Sequence, residues 1–186
     1  KKDYKNADDY FLKAVNSLKN DNNITNKQNV LPDAMIRLAD CYFMQKQYKS
    51  SAQYYDEVIK ANAQGADYAL YQKSIIDGLG GNYNEKIAGM KALVARFPNS
   101  AFADDAIMQT GNTYMLQDKD DLAIEAFKSL FAKNPKSDQV PDAYLKLGLI
   151  YFNRDSYDES LSWYQKVVQY YPSTPASNEA MLAIKE

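Results

Sequence analysis

Alanine returns at a nearly fixed interval along this chain: Ala34, Ala69, Ala106, Ala143 and Ala180 are separated by 35, 37, 37 and 37 residues. An interval of that size marks a supersecondary unit that cannot bury its own apolar face and must stack on copies of itself. The residues around the anchors repeat with them. Pro32, Asp33, Ala34, Leu38, Tyr42 and Phe43 reappear, in the same order and spacing, as Pro141, Asp142, Ala143, Leu147, Tyr151 and Phe152.

Within each unit the apolar positions follow a helical period twice. Tyr144, Leu147, Gly148 and Tyr151 mark a first helix, Asn153 to Ser156 a polar turn, and Tyr157, Leu161, Tyr164 and Val167 a second helix. The small residues predict where the two helices cross. Ala39, Gly111 and Gly148 on first helices, facing Ser51, Ala123 and Ser160 on second helices, let the backbones approach, and Tyr55, Met90, Phe127 and Tyr164 fill the space beside each crossing.

This pattern resembles the tetratricopeptide repeat: a bulky residue, Leu-Gly/Ala, Tyr, a small residue, an aromatic, an aliphatic and a closing Pro. Tyr144, Leu147, Gly148, Tyr151, Ser160, Tyr164, Val167 and Pro172 carry it best; Ile107, Gly111, Tyr114, Ala123, Phe127, Leu130 and Pro135 follow, as do Met35, Leu38, Ala39, Tyr42, Ser51, Tyr55 and Val58. The resemblance implies an all-α fold, a single right-handed superhelical solenoid of stacked hairpins with about ten helices. Its divisions are a half repeat at 1–31, repeats at 32–66, 67–103, 104–140 and 141–177, and a partial repeat at 178–186. Residues 3–20 read as the second helix of a preceding repeat, so the chain is expected to begin and end inside repeats, as a piece of something longer.

Three of the unit boundaries carry a second signature. Pro98-Asn99-Ser100, Pro135-Lys136-Ser137 and Pro172-Ser173-Thr174 share a Pro-x-Ser/Thr step, in which Pro stops one helix and the hydroxyl serves backbone amides ahead of the next. That step is similar to repeats of bacterial envelope proteins, the Tol-Pal coordinator and the tetratricopeptide lipoprotein of the outer-membrane assembly machine, and implies a periplasmic or outer-membrane-associated setting. The unit at 67–103 departs from the pattern: Lys73, Asp77 and Lys86 replace the expected Leu, Tyr and small residue, and five of the seven glycines lie between Gly65 and Gly89. Two readings of Gly78-Leu79-Gly80-Gly81 stand side by side: a hinge, since glycine inside a helix costs about 1 kcal/mol relative to alanine, or a longer turn at a tolerated position. The Asn-rich stretch from Asn20 to Asn26 reads as a solvated loop.

Composition removes whole classes of chemistry. The chain has no histidine and the single cysteine Cys41, which takes away the commonest general base, the commonest zinc ligand and any internal disulfide. Cys41 reads as a small packing residue. Lysine plus arginine total 22 against 24 acids, a net charge of -2, so no nucleic-acid footprint is visible. No apolar run reaches the roughly 20 residues of a membrane span. Asp21, Asn23 and Thr25 begin like a calcium loop, but Asn26 and Pro32 stand where Gly and Glu are required. Carboxylates at Asp118 to Asp121 and Asp155 to Glu159 are explained by helix starts. No catalytic residue, metal site or cofactor is expected.

Function must then come from the inner surface that first helices line in a stack of this kind. The register directs Asp33, Ile36, Asp40 and Phe43, then Tyr68, Tyr71 and Ile75, then Asp105, Met108, Asn112 and Met115, then Asp142, Leu145, Leu149 and Phe152 to that groove. Such a lining is apolar and aromatic with an acidic edge. It suits a peptide or partner protein, with Asn112 able to hold a partner backbone. The carboxylate clamp of co-chaperones does not fit, because the acidic edge repels a C-terminal carboxylate and Arg37, Lys73 and Lys146 are scattered. The expectation is a non-catalytic interaction scaffold; the alternative is a helper module of an enzyme whose catalytic domain lies outside the segment.

Overall fold

The computed structural model describes residues 4–185, all helix and connection among the described residues. The first three residues and the last, assigned above to the half repeat and the partial repeat, lie outside the described residues. The helices are α1 (Tyr4–Lys19), α2 (Leu31–Met44), α3 (Tyr48–Lys60), α4 (Ala66–Leu79), α5 (Tyr83–Arg96), α6 (Ala103–Leu116), α7 (Asp120–Lys133), α8 (Val140–Asn153), α9 (Tyr157–Tyr170) and α10 (Pro175–Ala183). They form two compact units, the first ending at Phe102 and the second starting at Ala103. In the first, α2/α3 and α4/α5 are hairpins and α1 packs on α2; in the second, α6/α7 and α8/α9 are hairpins and α10 packs on α8 and α9.

Helix boundaries follow from backbone chemistry. In every hairpin the residue twelve places after the anchor alanine is left-handed: Lys46 (φ 61°), Gly81 (φ 78°), Asp118 (φ 55°) and Asp155 (φ 57°). The same backbone bond closes each first helix, running from Gln47, Asn82, Lys119 and Ser156 N–H to the carbonyls of Tyr42, Asp77, Tyr114 and Tyr151 at 2.8, 2.9, 2.9 and 2.9 Å. This is the Schellman closure, in which one left-handed residue reverses the chain and satisfies helix-end carbonyls. Second helices α5, α7 and α9 stop at Phe97, Asn134 and Tyr171, each immediately before a proline and each pushed toward extended geometry (φ −130°, −137° and −134°). The hydroxyls then act as expected: Ser100 Oγ accepts from Phe102 N–H at 3.1 Å, Ser137 Oγ from Gln139 N–H at 3.3 Å, and Thr174 Oγ1 from Ser177 N–H at 3.2 Å. The turn carboxylates act differently from side-chain caps. The residues capping α7 and α9, Lys119 and Ser156, make no side-chain cap bond, and Asp120, Asp121, Asp158 and Glu159 contribute charge in the first turn.

The anchor alanines share one environment. Ala69, Ala106, Ala143 and Ala180 are fully buried and Ala34 nearly so. The crossings are as close as their sequence predicts. Ser51 Oγ donates to Ala39 O at 2.9 Å and Ser160 Oγ to Gly148 O at 2.8 Å, direct bonds from second helix to first that a longer side chain would prevent. A Cβ added to Gly111 would overlap the ring of Phe127, and one added to Gly148 the ring of Tyr164.

The α4/α5 hairpin reaches the same closeness by exchanging partners. Ser74 holds the position of Gly111 and Gly148, and the space it needs comes from Gly89 on α5, where a Cβ would strike the Ser74 hydroxyl. Lys86, in place of Ser51, Ala123 or Ser160, lays its stem across Gly78, whose added Cβ would lie 2.6 Å from the Lys86 Cδ. Burial lowers the Lys86 pKa from its ordinary value. Lys73 and Asp77, in the Leu and Tyr positions, pair across one turn at 3.2 Å. The glycines of this unit are therefore packing and turn residues, and Gly81 is the member of the left-handed set that meets least resistance. The Asn-rich stretch is shorter as a loop than expected, because the chain re-enters helical geometry at Ile24 and passes through a π-helical stretch, Asn26–Val30, into α2.

Gly111→Ala and Gly148→Ala should each lower stability, as overpacking of about 1–3 kcal/mol outweighs a helix-propensity gain of about 1 kcal/mol. Gly80→Ala, whose Cβ would meet nothing closer than 3.4 Å, should be neutral or stabilising. Thermal unfolding followed by circular dichroism separates the two cases. Hydrogen exchange at residues 74–86 should match that at 111–123, because both stretches close with the same backbone bonds.

Candidate functional site: two inner hollows

The first helices supply the predicted side chains, but the two units use them differently. In the first unit, Asp33 and Ile36 of α2 border a hollow of about 490 Å³ with Asn29, Val30, Gln64 and Gly65. Gly65 is left-handed (φ 81°), and a side chain there would press on Ile36 Cδ1 at 2.6 Å, so glycine keeps this edge open. Asp40 is engaged internally. Its carboxylate accepts from the Tyr55 hydroxyl of α3 and from the Tyr68 hydroxyl of α4 at 2.9 Å, tying three helices together. Burial, followed by the Asp40 carboxylate, raises both tyrosine pKa values, that of Tyr68 to about 12.

Tyr68 and Tyr71 are also occupied. Phe102 packs at a tilt against both, 5.5 Å between ring centres. Phe43 packs edge-on to Tyr48 at 5.6 Å across its own turn. Ile75 is half-buried and lies in neither hollow. The inner face of this unit is thus largely filled by its own chain.

In the second unit the predicted register is gathered into one open hollow of about 280 Å³. Asp105, Met108 and Asn112 come from α6, Asp142 and Leu145 from α8, and Glu179 from α10. Met108 is 5% exposed and Leu145 half-buried, so they form an apolar floor; the carboxylates stand at the rim. Burial raises the Asp105 pKa, helped by Asp138 and Asp104. Burial also raises that of Asp142, helped by Glu179 and Asp138 and opposed by Lys146. A group of acids held above their ordinary values is a place where positive charge from outside is stabilising. Among the described residues no three such side chains come together as a metal site.

Met115, Leu149 and Phe152 lie outside this hollow. Leu149 and Phe152 are 37% and 45% exposed, and Phe152 repeats the Phe43 arrangement by packing on Tyr157 at 5.5 Å. Sequence reasoning missed Gln109, Gln139, Lys146, Glu179 and the covering role of Phe102. Glu179 was within reach, since it precedes Ala180 as Asp105 and Asp142 precede their anchors.

Cys41 is buried, and burial, then Asp8 and Asp40, raises its pKa, which favours the protonated thiol.

With hairpins, crossings and inner register established, sequence-family models match residues 33–64 and 108–177, both described as tetratricopeptide repeat and together covering just over half of the chain. This chain is a tetratricopeptide repeat protein. Tetratricopeptide repeats typically serve as protein–protein interaction scaffolds, and both matched models are described by the repeat alone. Solved structures of the same fold include MamA (17% identity, 90% of this chain and 88% of that one, TM-score 0.70). BtubC from P. vanneervenii is another (12% identity, 90% and 73%, TM-score 0.73). A third is YrrB, described as a tetratricopeptide protein with an unusual peptide-binding site (16% identity, 83% and 75%, TM-score 0.62). None of the three is named as a Tol-Pal or outer-membrane assembly protein. No curated protein sequence matches the chain. Among the described residues no helix is long and apolar enough to cross a membrane.

The Asp40 network gives a direct test. Asp40→Ala removes the acceptor shared by the buried Tyr55 hydroxyl and the half-buried Tyr68 hydroxyl and should destabilise the protein by about 1–3 kcal/mol. In the wild type the raised tyrosine pKa values mean that the folded state keeps protons the unfolded state loses. This contribution is complete below the ordinary tyrosine value of 10 and is lost as pH rises toward the folded value, about 12 for Tyr68. Alkaline unfolding monitored by tyrosine absorbance should therefore set in above pH 10.

Proposed function

We propose that this repeat protein is a docking scaffold whose second-unit hollow receives a partner segment with a Lys or Arg side chain beside an aliphatic one. The observation that carries this reading is the composition of the hollow. Three carboxylates from three successive first helices, Asp105, Asp142 and Glu179, border a floor of Met108 and Leu145, and only Lys146 opposes them. The cation meets the rim, the aliphatic side chain meets the floor, and Asn112 offers its amide to the partner backbone. Within the first unit, Ile36 and Asp33 border a separate hollow. YrrB, with its peptide-binding site, supports the general mode on the same fold. The wider setting we infer is a longer bacterial envelope protein, supported by the Pro-x-Ser/Thr steps; fractionation of native cells tests that setting separately.

The experiment is an array of short peptides with one fixed position, read by fluorescence anisotropy. Arg- or Lys-containing peptides with a neighbouring Leu or Ile should bind, and Glu-containing counterparts should not. Asp105→Asn with Asp142→Asn should weaken binding by roughly tenfold and flatten its salt dependence. Binding should also weaken as pH falls, beginning above the ordinary aspartate value of 3.8 because both carboxyls are raised in the free protein. Preference for acidic peptides would overturn the reading.

A further inference from the structure

The first unit contains a larger cavity that shares no residue with the Ile36 hollow. It measures about 550 Å³ and opens between the end of α1, the start of α2 and the end of α3. Leu31, Pro32, Met35 and Val58 wall its interior, while Lys19, Lys27 and Glu57 stand around it. A volume of this size falls in the range of about 300–1,000 Å³ occupied by small ligands.

Its origin is visible in the repeat register. Three residues before the anchor alanine, four units carry Ala66, Ala103, Val140 and Ser177, exposed by only 2, 5, 1 and 0%. The connections that precede their helices run for six residues or fewer. Leu31 occupies the same position, is the largest side chain of the set, and is only half-buried. The connection from α1 to α2 is longer, running from Asn20 to Val30, and its π-helical stretch Asn26–Val30 places Lys27 and Gln28 at the cavity. Met35 and Val58, 7% and 1% exposed, belong to the first unit's core, so the cavity reaches that core from outside.

The charges at the mouth give the chemistry of an occupant. Lys19 Nζ is fixed 2.7 Å from Glu57 Oε2 and lies 5.8 Å from the centre of the Tyr54 ring. Lys27 is exposed beside Gln28, so two ammonium groups face one carboxylate among the lining residues. Asp21, whose charge interacts with Lys27, lies outside the lining, and its oxygens are held by Asn26 Nδ2 at 2.7 Å and Asn23 N–H at 2.9 Å.

We propose that this cavity binds a small anionic amphiphile, an unbranched alkyl chain ending in a carboxylate. The chain lies on Leu31, Met35 and Val58, and the carboxylate meets Lys27 and the Gln28 amide. This site is independent of partner docking in the second unit, and either reading can fail alone.

The test uses decanoate and decanol with protein carrying ¹³C-methyl methionine. Decanoate should shift the Met35 methyl signal, assigned by Met35→Leu, saturably and more strongly than the Met108 signal. Decanol should bind at least tenfold more weakly. Lys27→Glu, a change at an exposed residue, should weaken decanoate by roughly tenfold and leave decanol unchanged. Ala61→Trp, at the exposed rim, should block both. No saturable shift at Met35, or decanoate affinity unaltered by Lys27→Glu, overturns the site. Equal affinity for decanoate and decanol in the unmodified protein overturns the carboxylate recognition without relying on any variant.

Discussion

Two helices in a hairpin can share a core only if their backbones come close, and here closeness is a matter of one small residue meeting one large one. Gly111 and Gly148 lie under the rings of Phe127 and Tyr164, while Ser51 and Ser160 reach the opposite backbone carbonyl. Everything else is positioned from that contact. The crossing fixes the rotation of each first helix about its axis. It thereby decides that the anchor alanine is buried and that the residue before it, Asp105 or Asp142, reaches the rim of the inner hollow.

The α4/α5 hairpin shows that the constraint is on the sum of the two facing side chains and not on either helix. Ser74 takes the place of a glycine, and Gly89 on the other helix makes room; Lys86 takes the place of a small residue, and Gly78 lies beneath its stem. Read one helix at a time, these substitutions look like damage to the repeat and its glycines like a flexible joint. Read across the crossing they conserve volume, which is what close packing requires. The Lys73–Asp77 pair likewise replaces an apolar contact by an ion pair on the same face.

The inner surfaces illustrate how one register yields different chemistry. In the first unit, Asp40 is consumed by two tyrosine hydroxyls and Tyr68 and Tyr71 by Phe102, so groove-facing side chains stabilise the stack itself. In the second, the equivalent positions hold Met108, Asn112 and Leu145, which have no aromatic lid and leave an open hollow with an acidic rim. Ahead of α2 the longer connection leaves Leu31 half-buried, where Ala66, Ala103, Val140 and Ser177 are buried, and a further cavity opens beside it.

By itself the sequence determined the helical period, the interval between anchors, the small-against-large crossings and the prolines that stop second helices, because each is a local or strictly repeated property. Asp105, Met108, Asn112, Asp142 and Leu145 were legible for the same reason: side-chain direction on a helix follows from register alone. Only the tertiary structure decided which of those directions stayed open. Whether Phe102 folds over Tyr71, whether Asp40 finds Tyr55 and Tyr68, and whether a connector covers Leu31 or leaves it bare depend on contacts between residues far apart in the chain. No spacing within a single helix encodes where a distant side chain comes to rest.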